Sequence, residues 1–194
     1  LRWPTLSSSL WWDEMTVMVR VVHRGFPYVL VFAAEGTSHL CNTLLVWLST
    51  LLFGEGEIQI RFPAFMLGAL TPAVFYLAMA RWVRRSTAVI VAFLLAVNFT
   101  LIVHSTEARG YAGAILFSFL SCMFFAEMLR RPGRGVAAGY VVCSLLAAGF
   151  LIFSIIVPFA HGLLILYRWL GDGRARSAAN LGALFPCLWV GVVS

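Results

Sequence analysis

Three apolar stretches of the sequence, residues 62–80, 86–103 and 110–129, are each long enough to cross a lipid bilayer. A membrane-spanning helix needs about 20 apolar residues, because each residue adds about 1.5 Å and the hydrocarbon layer is roughly 30 Å thick. The 194 residues are 61% hydrophobic and only 11% charged, which is more apolar sequence than a soluble domain of this length can bury. The sequence therefore predicts an all-α polytopic membrane protein.

The rest of the apolar sequence predicts three further spans. Residues 135–167 carry no charged side chain and would be about 50 Å long as one helix. We therefore predict two short spans, 135–149 and 153–168, joined by a turn near residues 149–154. The last predicted span, 178–194, is cut short by the end of the sequence, so we expect the chain to be a fragment with an earlier span upstream. Residues 62–194 together form the predicted transmembrane helix bundle.

The arginines indicate which side of the membrane each loop occupies. All 14 basic residues are arginines, and nine of them lie in three short loops. Cytoplasmic loops carry an excess of Lys and Arg, so with 135–167 folded as two spans all three loops are predicted to be cytoplasmic. If 135–167 formed a single span, the third loop would lie outside. In the two-span arrangement, six of the eight acidic residues lie on the outer side. The three clusters are Arg81, Arg84 and Arg85, then Arg130, Arg131 and Arg134, then Arg168, Arg174 and Arg176.

Residues 1–61 are predicted to form an extracytoplasmic loop with interfacial amphipathic helices. The segment "DEMTVMVRVVHR" places Met15, Met18 and Val22 on one helical face. The segment "HLCNTLLVWLSTLLF" is apolar but too short to cross the bilayer comfortably. Trp11 and Trp12 suit the depth of the lipid headgroups. Both segments therefore predict helices that lie at the outer membrane interface.

Ionisable side chains gather on this predicted outer side, near hydrocarbon, where such residues are costly and usually mark function. They come from the segments "LWWDEM", "SHL" and "VHSTEARGYA". Acidic and basic groups that converge from separate segments can serve as a general base and bind an anion. The candidate site residues are Asp13, Glu14, His39, His104, Glu107 and Arg109.

Four of the candidates also have a purely structural interpretation. Asp13 can cap the helix that follows it. Glu107 and Arg109 can form an interfacial ion pair, or Arg109 can extend to lipid phosphates. His39 can be a structural or solvated histidine. The sequence contains no glycine-rich phosphate loop, zinc motif or nucleic-acid-binding pattern, so the residues alone predict an outward-facing acidic and basic site in a polytopic membrane protein.

Three motifs follow one another along the sequence, and the first and the last of them lie on the predicted outer side. A "DE" pair follows two tryptophans, the block "NTLLVWLSTLLFGEGEIQIRFPAFMLGALTPAVFYLAMARWV" comes next, and "HSTEARGYA" follows it. Over residues 10–131, their order, spacing and sidedness resemble the N-terminal half of the GT-C membrane glycosyltransferases. The relatives that this resemblance indicates are protein O-mannosyltransferases, aminoarabinose transferases of lipid A and Rgt-type sugar transferases. It implies a GT-C-like helix bundle in a bacterial inner (plasma) membrane.

The resemblance also implies a reaction and a role for each candidate residue. Such enzymes pass a sugar, a hexose or a pentose, from a polyprenyl-phosphate carrier to a lipid, glycan or protein acceptor outside the cytoplasm. Asp13 is then the catalytic base for the acceptor hydroxyl, and Glu14 supports it or a metal ion. Arg109 binds the donor phosphate. The supporting residues are His39, His104 and Glu107.

Two questions stay open at the level of sequence. The departing phosphate needs positive charge beside it, and either the bidentate guanidinium of Arg109 or a divalent metal ion is compatible with that need. A multi-pass transporter or flippase is the alternative function, since broken helices and polar groups in a membrane also suit transport. Transport favours charges at mid-membrane, whereas these charges gather at the outer edge, so glycosyl transfer is the favoured prediction.

Overall fold

The computed structural model describes residue 6 and residues 11–17, 19, 23–24, 26–28 and 39–171. Within these ranges the chain forms helices joined by short loops, with no β-strand. The predicted all-α membrane fold is confirmed. The helices are α1 (Trp12–Val17), α2 (Leu40–Phe53), α3 (Glu57–Met79), α4 (Arg85–Val97), α5 (Phe99–His104), α6 (Tyr111–Arg130), α7 (Arg134–Phe150) and α8 (Ile156–Gly171), with a short 3-10 helix (Ile152–Ile155) before α8.

Three segments of the described chain are long and apolar enough to cross a membrane. They are α3, α6 and the segment Ile152–Leu170, which comprises the 3-10 helix and nearly all of α8. Helices α2, α4 and α7 are apolar but shorter. The helical structure is interrupted between the end of α7 at Phe150 and the 3-10 helix, inside the uncharged stretch 135–167. The predicted span 178–194 lies outside the described residues.

Helix α3 begins earlier than the apolar pattern indicates. Its first residue is Glu57, five residues before the predicted start of the span at residue 62, so Pro63 lies inside the helix. Because proline has no backbone N–H, the carbonyl four residues earlier, that of Gln59, loses its helical donor. The Oγ of Ser49 on α2 donates to this carbonyl at 2.7 Å. The polar serine therefore compensates for the proline and ties α2 to the start of α3.

The predicted span 86–103 is interrupted at Asn98. Helix α4 ends at Val97, and the side-chain oxygen of Asn98 accepts a hydrogen bond from the Leu101 N–H at 2.9 Å. Asparagine is a favoured residue before a helix, because its side chain satisfies one of the free N–H groups of the first turn. The polar residue in this apolar run therefore marks the boundary between α4 and α5.

Helices α6, α7 and α8 pack around a shared core that includes Phe125, Met128, Tyr140 and Ile165. His161 of α8 stacks on Phe125 with ring centroids 4.0 Å apart, and its Nδ1 lies 3.3 Å from the Tyr140 hydroxyl. Polar side chains in membrane bundles commonly bond a neighbouring helix in this way. The packing fixes α6, whose first residue follows the loop 105–110.

Two glycines allow close contacts around that loop. A Cβ atom at Gly68 of α3 would overlap the side chain of Ser105, and one at Gly113 of α6 would overlap the ring of Phe150. Small residues let membrane helices approach closely. As a result the loop 105–110 lies against α3, and the start of α6 lies against the end of α7.

Candidate active site

A buried ion pair joins α1 to the start of α3. Glu14 and Arg61 are each 1% exposed, and Arg61 Nη2 lies 2.6 Å from Glu14 Oε2 while Arg61 Nε donates to Glu14 Oε1 at 3.1 Å. Arg61 Nη1 donates to the carbonyl of Leu6 at 3.0 Å. The planar guanidinium suits this forked contact with a carboxylate. Because both charges are buried, removing either partner leaves the other uncompensated.

Glu14 receives four hydrogen bonds, two at each oxygen. Its Oε1 accepts from Arg61 and from the N–H of Ala108, and its Oε2 accepts from Arg61 and from the N–H of Trp11. Burial alone would raise the pKa of the Glu14 carboxyl, but these hydrogen bonds and the charge of Arg61 lower the pKa overall. The stabilisation is therefore fully present above the unfolded-state pKa and is lost as the pH falls through the folded-state pKa.

The start of α1 determines where Asp13 lies. The carbonyl of Trp11 accepts the first helical hydrogen bond, from the Met15 N–H at 3.0 Å, so Trp11 is the residue that precedes the helix. Glu14, the third helical residue, accepts the Trp11 N–H in return, which is one half of a capping box. Asp13 is the second residue of α1 and therefore does not occupy the capping position. The side chain of Asp13 lies outside the described part of the structure.

The peptide groups of Ala108, between Glu107 and Arg109, are held on both sides. The Ala108 N–H donates to Glu14 Oε1 at 2.7 Å, and the Ala108 carbonyl accepts from Asn42 Nδ2 at 2.8 Å. Glu14 and Asn42 come from α1 and α2, so two separate helices hold one loop residue. This contact brings the acidic motif of the first segment to the loop that carries the predicted phosphate-binding arginine.

His39 holds the end of α7 against the same loop. The Phe150 carbonyl lies at the C-terminus of α7, where carbonyls lack helical donors, and His39 Nδ1 donates to it at 2.7 Å. A Cβ atom at Gly110 would overlap this carbonyl oxygen. Glycine is therefore needed at position 110 because the backbone of α7 comes so close.

Tyr111 contacts both predicted histidines. Its ring centroid lies 5.4 Å from that of His39 and 4.5 Å from that of His104. His104 Nδ1 is 3.8 Å from Glu107 Oε2, a separation longer than a hydrogen bond. Tyr111 therefore lies between His39 and His104, and Glu107 lies beside His104.

Arg109 lies immediately before Gly110, the residue that precedes the first turn of α6. Its side chain is half-buried. The free N–H groups and the positive end of the helix dipole favour an anion at such a helix start. Arg109 and the start of α6 are therefore chemically suited to bind a phosphate together.

The sequence prediction did not identify Arg61 or Asn42 as part of this site. A charged residue at the edge of an apolar span is costly near hydrocarbon, and that signal was available for Arg61. Nothing in the local sequence indicates the contact of Asn42, because its partner Ala108 lies 66 residues away.

A divalent metal ion fits poorly at Glu14. An ionised carboxylate has about four lone-pair sites, and four N–H donors already occupy those of Glu14. Among the side chains that the structure describes, no group of three or more His, Cys, Asp or Glu residues is arranged to hold a metal ion. A metal could bind Glu14 only by displacing one of its donors. The support of Asp13 by Glu14 stays a prediction.

One comparison with known proteins gives a match. The family model described as dolichyl-phosphate-mannose-protein mannosyltransferase matches residues 40–193, well over half of the 194 residues. The match includes α2, α3 and the loop 105–110, and it begins after α1 with Asp13 and Glu14. No curated protein and no solved structure matches the chain.

Proposed function

This chain belongs to the dolichyl-phosphate-mannose-protein mannosyltransferase family, a family of GT-C membrane glycosyltransferases, and from this premise we propose that it transfers a sugar from a polyprenyl-phosphate carrier to an extracytoplasmic acceptor. The sugar is a hexose or a pentose, and the acceptor is a hydroxyl of a lipid, glycan or protein. The protein is an integral membrane protein, and we place it in a bacterial inner membrane with its site facing outward.

The proposed reaction exchanges one bond at the anomeric carbon for another. Asp13 accepts the proton of the acceptor hydroxyl, whose oxygen forms the new bond to the anomeric carbon. The bond from that carbon to the phosphate oxygen breaks, and the electron pair leaves with the carrier phosphate. Arg109 and the start of α6 stabilise the charge that develops on this phosphate. Glu14 supports Asp13 by fixing the backbone of α1.

The contact of Glu14 with the N–H of Ala108 is the observation that best supports this proposal. It joins the helix that carries the proposed base to the loop that carries the proposed phosphate-binding residue, at 2.7 Å and with both partners buried. Glycosyl transfer from a carrier needs a base and a phosphate-binding group close together. A surface ion pair or a lipid anchor requires no such connection.

Replacing Arg109 tests the phosphate role. The change Arg109→Lys keeps the charge but removes the guanidinium fork, and a charge-assisted hydrogen bond contributes about 1.5–3 kcal/mol, which corresponds to a roughly 10- to 150-fold weaker donor affinity. We expect this loss for carrier phosphate in the full-length protein, and a larger loss for Arg109→Ala. The matched control is Arg24→Lys, an exposed arginine of the first segment that lies over the ring of Tyr28. Parental donor affinity in both Arg109 variants would contradict the assignment.

Single-cysteine labelling tests the proposed orientation. With the native cysteines replaced, Glu55→Cys before α3 is expected to react with a membrane-impermeant maleimide added from outside. Arg134→Cys, at the start of α7, is expected to react only after the membrane is permeabilised. Both positions are exposed, so access depends on sidedness rather than burial. Labelling of Arg134→Cys from outside intact cells would reverse the proposed orientation.

A further inference from the structure

We propose that Asn42 is a positioning residue for donor binding, because its side-chain amide fixes the peptide group that carries Arg109. The inference rests on the proposed function, in which Arg109 binds the carrier phosphate. Asn42 itself touches neither the donor nor the acceptor in this account. It acts through the backbone of the loop.

Asn42 is a buried donor aimed at one carbonyl. Its side chain is 3% exposed, and its Nδ2 donates to the Ala108 carbonyl at 2.8 Å. The amide nitrogen must face this carbonyl, because two acceptor oxygens would repel each other. A bond between α2 and a loop 66 residues further along the chain restricts the loop directly.

The geometry of the peptide bond explains why this contact concerns Arg109. The carbonyl of Ala108 and the Cα of Arg109 belong to the same planar peptide group. The N–H of Ala108 and the Cα of Glu107 belong to the preceding one. Asn42 therefore holds the peptide plane that leads to Arg109, while Glu14 holds the plane that leads to Glu107.

The side chain of Ala108 is fixed as well. Ala108 packs in a buried cluster with Val46 of α2 and Ile60 of α3, which are both 0% exposed. Asn42 and Val46 are four residues apart and lie on the same face of α2. One face of α2 thus contacts both the carbonyl and the methyl group of Ala108. These contacts restrict the backbone position of the neighbouring residue Arg109. Small displacements of a binding group reduce rates strongly.

A matched pair of variants on α2 separates positioning from general stability. Asn42→Ala and Ser49→Ala each remove one buried side-chain bond to a backbone carbonyl, at Ala108 and at Gln59 respectively. In transfer assays of the full-length protein with a polyprenyl-phosphate sugar, we expect Asn42→Ala to raise the donor KM about 3- to 10-fold. Acceptor KM is expected to stay within about twofold, and Ser49→Ala is expected to leave both KM values near those of the parent. Asn42→Ser is the second variant if Asn42→Ala fails to insert.

A double variant shows whether Asn42 acts through Arg109. Adding Asn42→Ala to Arg109→Ala is expected to change the donor KM by less than about twofold, because the group that Asn42 positions is already absent. The positioning role would be overturned if Asn42→Ala raised the donor KM by the same factor whether Arg109 is present or replaced by alanine. It would also be overturned if Ser49→Ala raised the donor KM as much as Asn42→Ala does. An unchanged donor KM in Arg109→Ala alone would instead overturn the proposed phosphate site and this inference with it. A normal donor KM in Asn42→Ala beside a raised one in Arg109→Ala would overturn only the role of Asn42.

Discussion

Replacement of Arg61 by methionine is expected to lower the free energy of unfolding by about 3–5 kcal/mol, the usual loss when one partner of a buried ion pair is removed. Methionine fills much of the same volume, but it leaves the charge of Glu14 buried without a counter-charge. It also removes the donor to the Leu6 carbonyl. The loss should appear as a lower thermal unfolding midpoint of the purified protein in detergent.

Two control variants make this test specific to the buried pair. The double variant Glu14→Gln with Arg61→Met is expected to recover part of the loss, since no buried charge remains. Arg81→Met, which removes an exposed arginine just beyond the other end of α3, is expected to stay within about 0.5 kcal/mol of the parent. An Arg61→Met protein as stable as Arg81→Met would show that the pair does not hold α1 to α3.

The change Asp13→Asn is expected to reduce sugar transfer by about 10²- to 10⁴-fold, the usual contribution of a positioned general base. Asparagine has nearly the same size and keeps a polar side chain at the second position of α1. The helix loses only the favourable interaction of one acidic residue with its dipole, which is worth about 0.3–1 kcal/mol. Expression, membrane insertion and thermal stability should therefore stay close to those of the parent.

The control for Asp13→Asn is Glu57→Gln. Glu57 is an exposed acidic residue in the first turn of α3, so its neutralisation removes a comparable charge from a comparable position in a helix. Transfer by Glu57→Gln is expected to match the parent. Near-normal turnover by Asp13→Asn, measured in membranes that contain equal amounts of both proteins, would remove Asp13 from the catalytic role.

Hydropathy predicted the class of this fold because a segment that lies in lipid must consist almost entirely of apolar residues. Long apolar runs without charge can form only helices in a membrane, since every backbone polar group must be satisfied within its own segment. The exact helix ends depend on polar details that hydropathy averages away. Near the start of α3 at Glu57, Ser49 bonds the carbonyl that Pro63 leaves without a helical donor, and at the break the Asn98 side chain caps α5.

Only those candidate residues could be predicted whose ionisable side chains stand next to apolar sequence, on the side predicted to be outer. The segment "HSTEARGYA" carries His104, Glu107 and Arg109, and the family match to residues 40–193 confirms the predicted GT-C relationship. The residues that hold this loop and Glu14 in place could not be predicted. Arg61 pairs with a glutamate 47 residues earlier and Asn42 bonds a carbonyl 66 residues later, and neither contact follows any helical or strand periodicity. Such contacts depend on the tertiary fold, which the sequence pattern does not contain.

Sugar transfer itself tests the central claim most directly. Membranes that contain the full-length protein should be given a panel of polyprenyl-phosphate sugars with radiolabelled sugar groups, and label in the acceptor fraction should be measured. The proposed function predicts that at least one donor transfers its label with the parent protein, and that Asp13→Asn and Arg109→Ala reduce this transfer strongly. Labelled carrier that crosses the membrane without any label reaching an acceptor, equally with the parent and with both variants, would contradict glycosyl transfer and favour a flippase.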